Sequence, residues 1–233
     1  MSNKIAEVNQ LRAQMVRAAQ AIIKAGAISR TGHGNMSIRI ANTDTMLLTA
    51  VSNLDDVTAD SLPLVSFDGR VLDGQLDPSS AEIVGMHGVV YERNAAMGAV
   101  IHTHAPFATA FAVANVPIEC WYEGLARFDL TDPIRVAKYG PRGSRESISN
   151  IADVMTEKSR AVLLQNHGVL SFERDIMGAV RVLTLMEEAA QLAIGAKARS
   201  HQHQPLGAGG RTKHAYRITL LIGWRHVPGA ARP

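Results

Sequence analysis

The sequence predicts an α/β protein in which helices cover a sheet. Segments with apolar residues at helical spacing alternate with short β-type runs, and one such helix precedes the first run. Helices that both precede and separate strands are typical of a sandwich of sheet and covering helices. At 233 residues the chain is long enough for one well-buried domain and short for two.

The first part of the chain predicts one helix followed by antiparallel strand pairs. Apolar residues recur at helical spacing, and Gly26 is a natural stop. Short β-type runs follow over 36–40 and 46–50, and a hairpin is predicted over 62–72 with its turn at Asp68-Gly69. The helical positions are Val8, Leu11, Met15, Ala18, Ile22 and Ile23.

The rest of the chain predicts helices and strands in alternation. Serine as a cap and Glu82 in the first turn indicate a helix that begins near Pro78. Apolar periodicity and short apolar runs give the other elements. The predictions are helices over 78–93, 106–115, 146–158 and 175–198, and strands over 99–102 and 161–164.

The last 35 residues differ in composition, so we divide the chain into a domain over 1–198 and a basic tail over 199–233. The pI of about 9.2 would suit a nucleic-acid partner. The basic excess is confined to the tail, however, and the remaining chain has slightly more acids than bases. We therefore expect no nucleic-acid partner. The tail contains an apolar stretch over 218–224, which is either a single strand or part of a loosely ordered segment.

Location and metal ligands are constrained by composition. No apolar run approaches the roughly 18 to 20 residues needed to span a bilayer, and the first residues do not resemble a signal peptide. We expect a cytoplasmic protein with no membrane partner. The single cysteine, Cys120, cannot form an internal disulfide or a cysteine-rich metal site. Any metal must then be bound by histidine and carboxylate.

Three histidines are candidate metal ligands. His102 and His104 lie at the end of a predicted buried strand, where alternation places both imidazoles on one face, about 7 Å apart at Cα. His167 follows another apolar strand and is the best third ligand, since catalytic zinc sites commonly use three protein ligands. The alternative is that these histidines are hydrogen-bonded structural residues. A rival pair, His201 and His203, lies in the polar tail with no rigid strand to orient it.

At these residues the chain resembles the class II aldolase/adducin family, whose members include fuculose-phosphate aldolase and ribulose-phosphate 4-epimerase. The resemblance rests on motifs in a fixed order, which makes chance agreement unexpected. They are 32–37, similar to G-N-x-S; 78–82, similar to P-S-S-E; His87 and Tyr91; 99–104, similar to A-V-x-H-x-H; and 163–168, similar to L-L-x-x-H-G.

The resemblance implies a three-layer α/β/α sandwich around a largely antiparallel sheet. It also implies Zn²⁺ or another divalent cation on His102, His104 and His167, and usually a homotetramer with active sites between subunits. Glu82 would be the catalytic general acid or base, although it could instead only favour a helix N-terminus. Substrate phosphate would be bound by the serines and by a backbone loop. These binding residues are Gly34, Asn35, Thr49, Ser79 and Ser80.

The sequence departs from the family pattern in three places. Ala50 stands where the relatives have glycine, which narrows the predicted phosphate pocket. Between Glu82 and His87 there is one residue more than in the family pattern. This additional residue rotates Glu82 by about 100° on its helix unless a bulge absorbs the residue. Ile83 stands at the expected position of the acid. Tyr216 in the tail cannot be assigned a role in a neighbouring site.

The expected function is a metal-dependent lyase that cleaves a small sugar phosphate by a retro-aldol reaction. Loss of a proton or cleavage of a C–C bond beside a carbonyl is the chemistry that a bound dication supports. Decarboxylation of a β-keto acid and epimerisation are alternatives on the same scaffold. A non-catalytic, adducin-like interaction module is a further alternative, but the presence of all three histidines argues against it.

Overall fold

The structure is a computed structural model that describes residues 2–77 and 80–198. The tail over 199–233 lies outside the described residues, as do the stretch 218–224, the pair His201 and His203, and Tyr216. Within the described residues, no helix is both long and apolar enough to cross a membrane.

Six helices and eight strands alternate along the described chain. The helices are α1 Ser2–Ala25, α2 Ala81–Arg93, α3 Pro106–Ala114, α4 Glu123–Arg127, α5 Arg145–Val154 and α6 Ile176–Ala198. The strands are β1 Gly34–Arg39, β2 Thr45–Leu48, β3 Leu64–Ser66, β4 Val71–Asp73, β5 Ala99–Thr103, β6 Val136–Ala137, β7 Ala161–Leu164 and β8 Gly168–Glu173. Short 3₁₀ turns lie at Leu54–Asp56 and Ala59–Ser61.

The strands form one sheet in the order β4-β3-β2-β1-β5-β8-β7-β6. Every pair of neighbours is antiparallel except β6 and β7, which are parallel. The predicted largely antiparallel sheet is therefore confirmed. Strands β1, β5 and β8 lie in the interior of the sheet, and the candidate histidines lie on β5 or beside the ends of β5 and β8.

Helices cover the two faces of this sheet and give two hydrophobic cores. Side chains on a strand point alternately to opposite faces, and successive β5 residues accordingly divide between the cores: Ile101 packs with α1, α3 and α6, whereas Val100 packs with α2 and α5. Burial of apolar side chains on both faces contributes roughly 25 cal/mol per Å² of apolar surface. The predicted three-layer arrangement is confirmed.

Most predicted elements are present, with corrected ends. The helix after residue 146 ends at Val154, four residues before the prediction, and the hairpin turn has Gly69 at φ +89° as expected. Ser80 occupies the N-cap of α2, but its side chain makes no capping hydrogen bond. Strands β6 and β8 and helix α4 were not predicted. Strand β8 is buried on both faces and so lacks the polar alternation that marks a surface strand.

Candidate metal centre

The fold brings the three candidate histidines together. His102 lies in β5, His104 follows the end of that strand, and His167 lies in the turn between β7 and β8. Their ring centroids are 4.6 Å apart for His102 and His167, and 5.1 Å apart for each pair with His104. One ring nitrogen from each residue lies within 4.8 Å of the other two. Three imidazole nitrogens at this spacing can converge on one divalent ion.

A hydrogen bond orients the buried ring of His102. Its Nδ1 lies 3.0 Å from the carbonyl oxygen of Val169 in β8. Because a carbonyl oxygen can only accept, Nδ1 carries the hydrogen and Nε2 keeps the lone pair that a metal ion requires. Metal-binding histidines commonly donate their second ring N–H in this way.

The three histidines are held in the neutral form that binds metal. Burial is the main cause of a pKa well below the ordinary value for His102, of about 4 for His104, and of a lowered value for His167. The neighbouring rings add to the effect, because protonation of one imidazole disfavours protonation of the next. Among the described residues, His104 Nε2 is also buried without a hydrogen-bond partner. A buried polar nitrogen left unpaired is unfavourable, and a metal ion would satisfy it.

Gly168 allows the two loops that carry the histidines to approach each other. A Cβ at this position would lie 2.6 Å from the carbonyl oxygen of Thr103 and 2.7 Å from Cδ2 of His104. A residue with a side chain would therefore displace His104 or the end of β5. The glycine of the 163–168 motif thus has a steric role at the centre.

A buried hydrogen-bond chain fixes Asn35 beside the histidines. Asn35 pairs with His102 across β1 and β5, and His87 Nε2–H donates to Asn35 Oδ1 at 2.7 Å. Ser37 Oγ–H then donates to His87 Nδ1, and the Tyr91 hydroxyl donates to Ser37 Oγ, each at 2.7 Å. Burial lowers the pKa of His87 to about 3, so the ring is neutral. Because the Asn35 oxygen is occupied, its NH₂ group remains as a donor.

A cavity of about 270 Å³ opens beside the histidines. His102, His167 and Asn35 contribute to its wall, as does His33, whose ring centroid is 5.3 Å from that of His104. Ile83 and Met86 of α2 form an apolar part of the lining, and the 138–143 loop before α5 forms another part. The cavity thus combines a candidate metal centre, polar donors and apolar surface.

Over residues 13–194 the sequence matches the family described as Class II Aldolase and Adducin N-terminal domain. The chain belongs to this family. Members are generally dependent on a divalent metal, and the three histidines of this chain could bind one.

Two of the similar proteins are named as sugar-phosphate aldolases. The 5-methylthioribulose-1-phosphate/5-deoxyribulose-1-phosphate aldolase of Rhodospirillum rubrum is 32% identical over 183 residues, covering 78% of this chain and 79% of that protein. The L-fuculose phosphate aldolase of Methanococcus maripaludis is 28% identical over 159 residues, covering 68% and 83%. A solved structure of L-fuculose 1-phosphate aldolase superposes with a TM-score of 0.74 at 23% identity, covering 84% and 89%. The last comparison supports the class II aldolase fold.

The predicted catalytic acid lies at the start of α2. Glu82 is the second residue of this helix, and the next residue, Ile83, lines the cavity. Catalysis by Glu82 stays a prediction.

The predicted phosphate-binding residues have different positions. Asn35 lines the cavity. Gly34 donates its N–H to Ser52 O at 3.1 Å, and a Cβ on it would lie 2.8 Å from the backbone oxygen of His102. Thr49 is fully buried, and its Oγ1 accepts the N–H of Met36 at 3.1 Å. Ser80 is the N-cap of α2, and Ser79 lies outside the described residues. Phosphate binding by this set stays a prediction.

Sequence reasoning gave no role to three basic residues of the cavity wall. They are His33, Lys138 and Arg142. His33 belongs to the 32–37 motif, in which the predicted binding residues are Gly34 and Asn35. The 138–143 segment is basic, contains glycine and proline, and directly precedes a serine-capped helix. That combination is the feature of the sequence that could have indicated these residues, because the N–H groups at a helix N-terminus can bind an anion.

Proposed function

We propose that this chain is a divalent-metal-dependent lyase that cleaves a small sugar phosphate by a retro-aldol reaction. The observation that carries the proposal is the cluster of neutral His102, His104 and His167 at the edge of a cavity. Family membership supports it, as do the two relatives named as sugar-phosphate aldolases. Zn²⁺ fits the all-nitrogen ligand set and is the ion we propose.

The reaction divides between charge stabilisation and proton transfer. When bound, the ion supplies the positive charge that stabilises an enediolate. A base removes the proton from the substrate hydroxyl on the far side of the C–C bond. The C–C bond then breaks, and an aldehyde leaves. The electron pair of the broken bond remains on the other fragment as an enediolate, which takes a proton at carbon. Glu82 is our candidate for this proton transfer.

Other residues of the site orient the substrate and limit water. Asn35 presents its NH₂ group, because its oxygen is held by His87. Ile83 and Met86 give the cavity an apolar wall. Exclusion of water strengthens the electrostatic interactions of the charged substrate with the site.

Metal analysis and activity assays on two histidine variants test the metal site. Wild-type protein should contain about one divalent ion per chain and cleave L-fuculose 1-phosphate or 5-deoxyribulose 1-phosphate. His102→Ala should lose both the ion and the activity, whereas the control His201→Ala in the tail should keep both. Full activity of wild-type protein after chelation would refute metal dependence.

Glu82→Gln tests the proton carrier. We expect turnover to fall by about two to four orders of magnitude with metal content unchanged, because an amide cannot transfer the proton. Glu92→Gln, at an exposed position on the same helix, is the matched control and should retain full turnover. Near-normal turnover of Glu82→Gln would reject the assignment of Glu82.

We also propose that the protein is a homo-oligomer, in the form of a tetramer, and that it is cytoplasmic. The support is the family's usual assembly, with active sites between subunits. Light scattering at micromolar concentration tests the assembly, and a 25 kDa species would refute it.

A further inference from the structure

We propose that Lys138 and Arg142 form an oxyanion-binding wall of the cavity, which binds a carboxylate or phosphate group of the substrate apart from the oxygens that face the three histidines. The inference rests on the proposed function and specifies the charge of its substrate. Both residues line the same cavity as His102 and His167.

One end of the 138–143 loop is fixed to the metal centre. Gln165, two residues before His167, accepts the N–H of Tyr139 through Oε1 at 2.9 Å. From α5, Asn150 Nδ2 donates to the carbonyl oxygens of Lys138 at 3.2 Å and Tyr139 at 3.4 Å. The backbone that carries Lys138 is thus held by side chains from two other elements, one of them the turn that contains a metal ligand.

The other end of the loop is fixed to α5. Ser144 N–H donates to the carbonyl oxygen of Pro141 at 3.0 Å, and Ser144 Oγ caps α5 by accepting the N–H of Ser147 at 3.1 Å. Gly140 passes so close to this helix that a Cβ would lie 2.5 Å from Ser147 N. Arg142 therefore lies on a short turn between two fixed points, so that binding through this residue costs little backbone entropy.

The charges of the cavity wall favour an anion. Among the described lining residues, Lys138 and Arg142 are cationic and no residue carries a carboxylate. Burial is the main cause of the lowered pKa of His104 and His167, and the charge of Arg142 adds to it, so its guanidinium acts on the histidines electrostatically. Positive side chains on one wall of a cavity attract an anionic group into it. The negative group of a substrate would be attracted to this wall.

The side-chain chemistry also suits an oxyanion. Gly34 and Thr49, which the resemblance implies as phosphate-binding residues, already use the Gly34 N–H and the Thr49 hydroxyl in hydrogen bonds within the protein. A guanidinium has a planar set of N–H donors that matches carboxylate and phosphate geometry, and lysine adds a flexible positive charge. The wall would thus favour substrates with a charged group over neutral ones.

Three hydroxamates that differ in their tails test the proposal on the zinc-loaded full chain. Acetohydroxamate has a neutral tail, the monohydroxamate of malonic acid has a carboxylate, and phosphoglycolohydroxamate has a phosphate. By calorimetry we expect at least one charged compound to bind wild-type protein more tightly than acetohydroxamate. Arg142→Gln and Lys138→Gln should each weaken that binding by about tenfold, as for a charge-assisted contact in a partly hydrated site. The charged compound whose affinity falls more in these variants identifies the bound group as carboxylate or phosphate.

The controls separate this proposal from the proposed function. Acetohydroxamate affinity should be unchanged in both variants, which also shows that they are folded. Arg145→Gln and Lys158→Gln remove the same charges at exposed positions outside the lining and should bind like wild type. A preference for charged tails that survives in the Arg142→Gln/Lys138→Gln double variant would overturn the oxyanion wall alone. Failure of the zinc-loaded wild type to bind any hydroxamate would overturn both proposals.

Discussion

Gly168→Ala should weaken metal binding without removing a ligand. The added Cβ would lie 2.6 Å from the carbonyl oxygen of Thr103 and 2.7 Å from His104 Cδ2. An ordinary contact begins at 3.4 Å, so His104 or the end of β5 must move by about 0.7 to 0.8 Å. Metal sites tolerate distance errors of about 0.2 Å. We expect zinc affinity to fall by about 10- to 100-fold and the metal-free protein to lose about 1 to 3 kcal/mol of stability.

Thermal unfolding with and without zinc measures this effect. At a free zinc concentration near 100 times the wild-type Kd, binding stabilises the folded state by about 2.7 kcal/mol. For a domain of this size that raises Tm by roughly 5 to 10 °C. After a 100-fold loss of affinity the same zinc adds only about 0.4 kcal/mol, or about 1 °C.

A glycine elsewhere in the fold provides the control. Gly195 lies in α6, and a Cβ built on it has no neighbour within 4 Å. Gly195→Ala should keep the wild-type zinc-induced rise in Tm. If Gly168→Ala kept it as well, the steric argument for this glycine would be wrong.

Three further substitutions test the buried polar groups. Burial lowers the pKa of His87 from 6.5 to about 3, so the unfolded chain binds more protons in that window. The free energy of unfolding of the metal-free protein should fall as pH falls, by about 1.4 kcal/mol per pH unit from this group. Urea unfolding in EDTA at pH 4.5 and 6.5 measures this loss. The difference in the free energy of unfolding between the two pH values should be smaller for His87→Asn than for wild type, and an equal difference would contradict this reasoning. Tyr91→Phe keeps the ring stacked on Phe67, at 5.5 Å between centroids, and loses the bond to Ser37. It should cost about 1 to 2 kcal/mol in urea unfolding with zinc content unchanged; a cost below about 0.3 kcal/mol would argue against this bond. Glu187 accepts the first N–H groups of α3, at 2.9 and 2.7 Å. Glu187→Ala should cost about 2 kcal/mol by the same measurement, and wild-type stability would exclude a capping role.

The sequence alone determined those features that depend on residues close to one another in the chain. The periodicity of Met15, Ala18 and Ile22 predicts α1, because a helix repeats every 3.6 residues and buries one face. The alternation of side chains on a strand places His102 and His104 on one face. The hairpin turn at Gly69 follows from its backbone freedom at φ +89°.

Tertiary structure decided which segments meet. Strand β8 lies between β5 and β7, and this pairing brings His167 to His102 although 65 positions separate them in the chain. It also places Val169 O against His102 Nδ1, which fixes the tautomer. No local pattern in the sequence encodes such a pairing. Its stability comes from long-range contacts between strands buried on both faces, whose side chains carry no polar alternation.

The cavity wall has the same physical origin. Lys138 and Arg142 belong to a glycine-containing loop that would be assigned to the surface on composition, and both residues are exposed. They line the same cavity as His102 and His167, and Gln165 and Asn150, from separate elements, hold the backbone of this loop in place. The sequence alone predicts His102 and His104 as a pair, because their spacing is a local property of one strand, whereas His167 meets them only through the pairing of β8 with β5. The charge that surrounds them depends on contacts between distant segments, and only the folded chain establishes those.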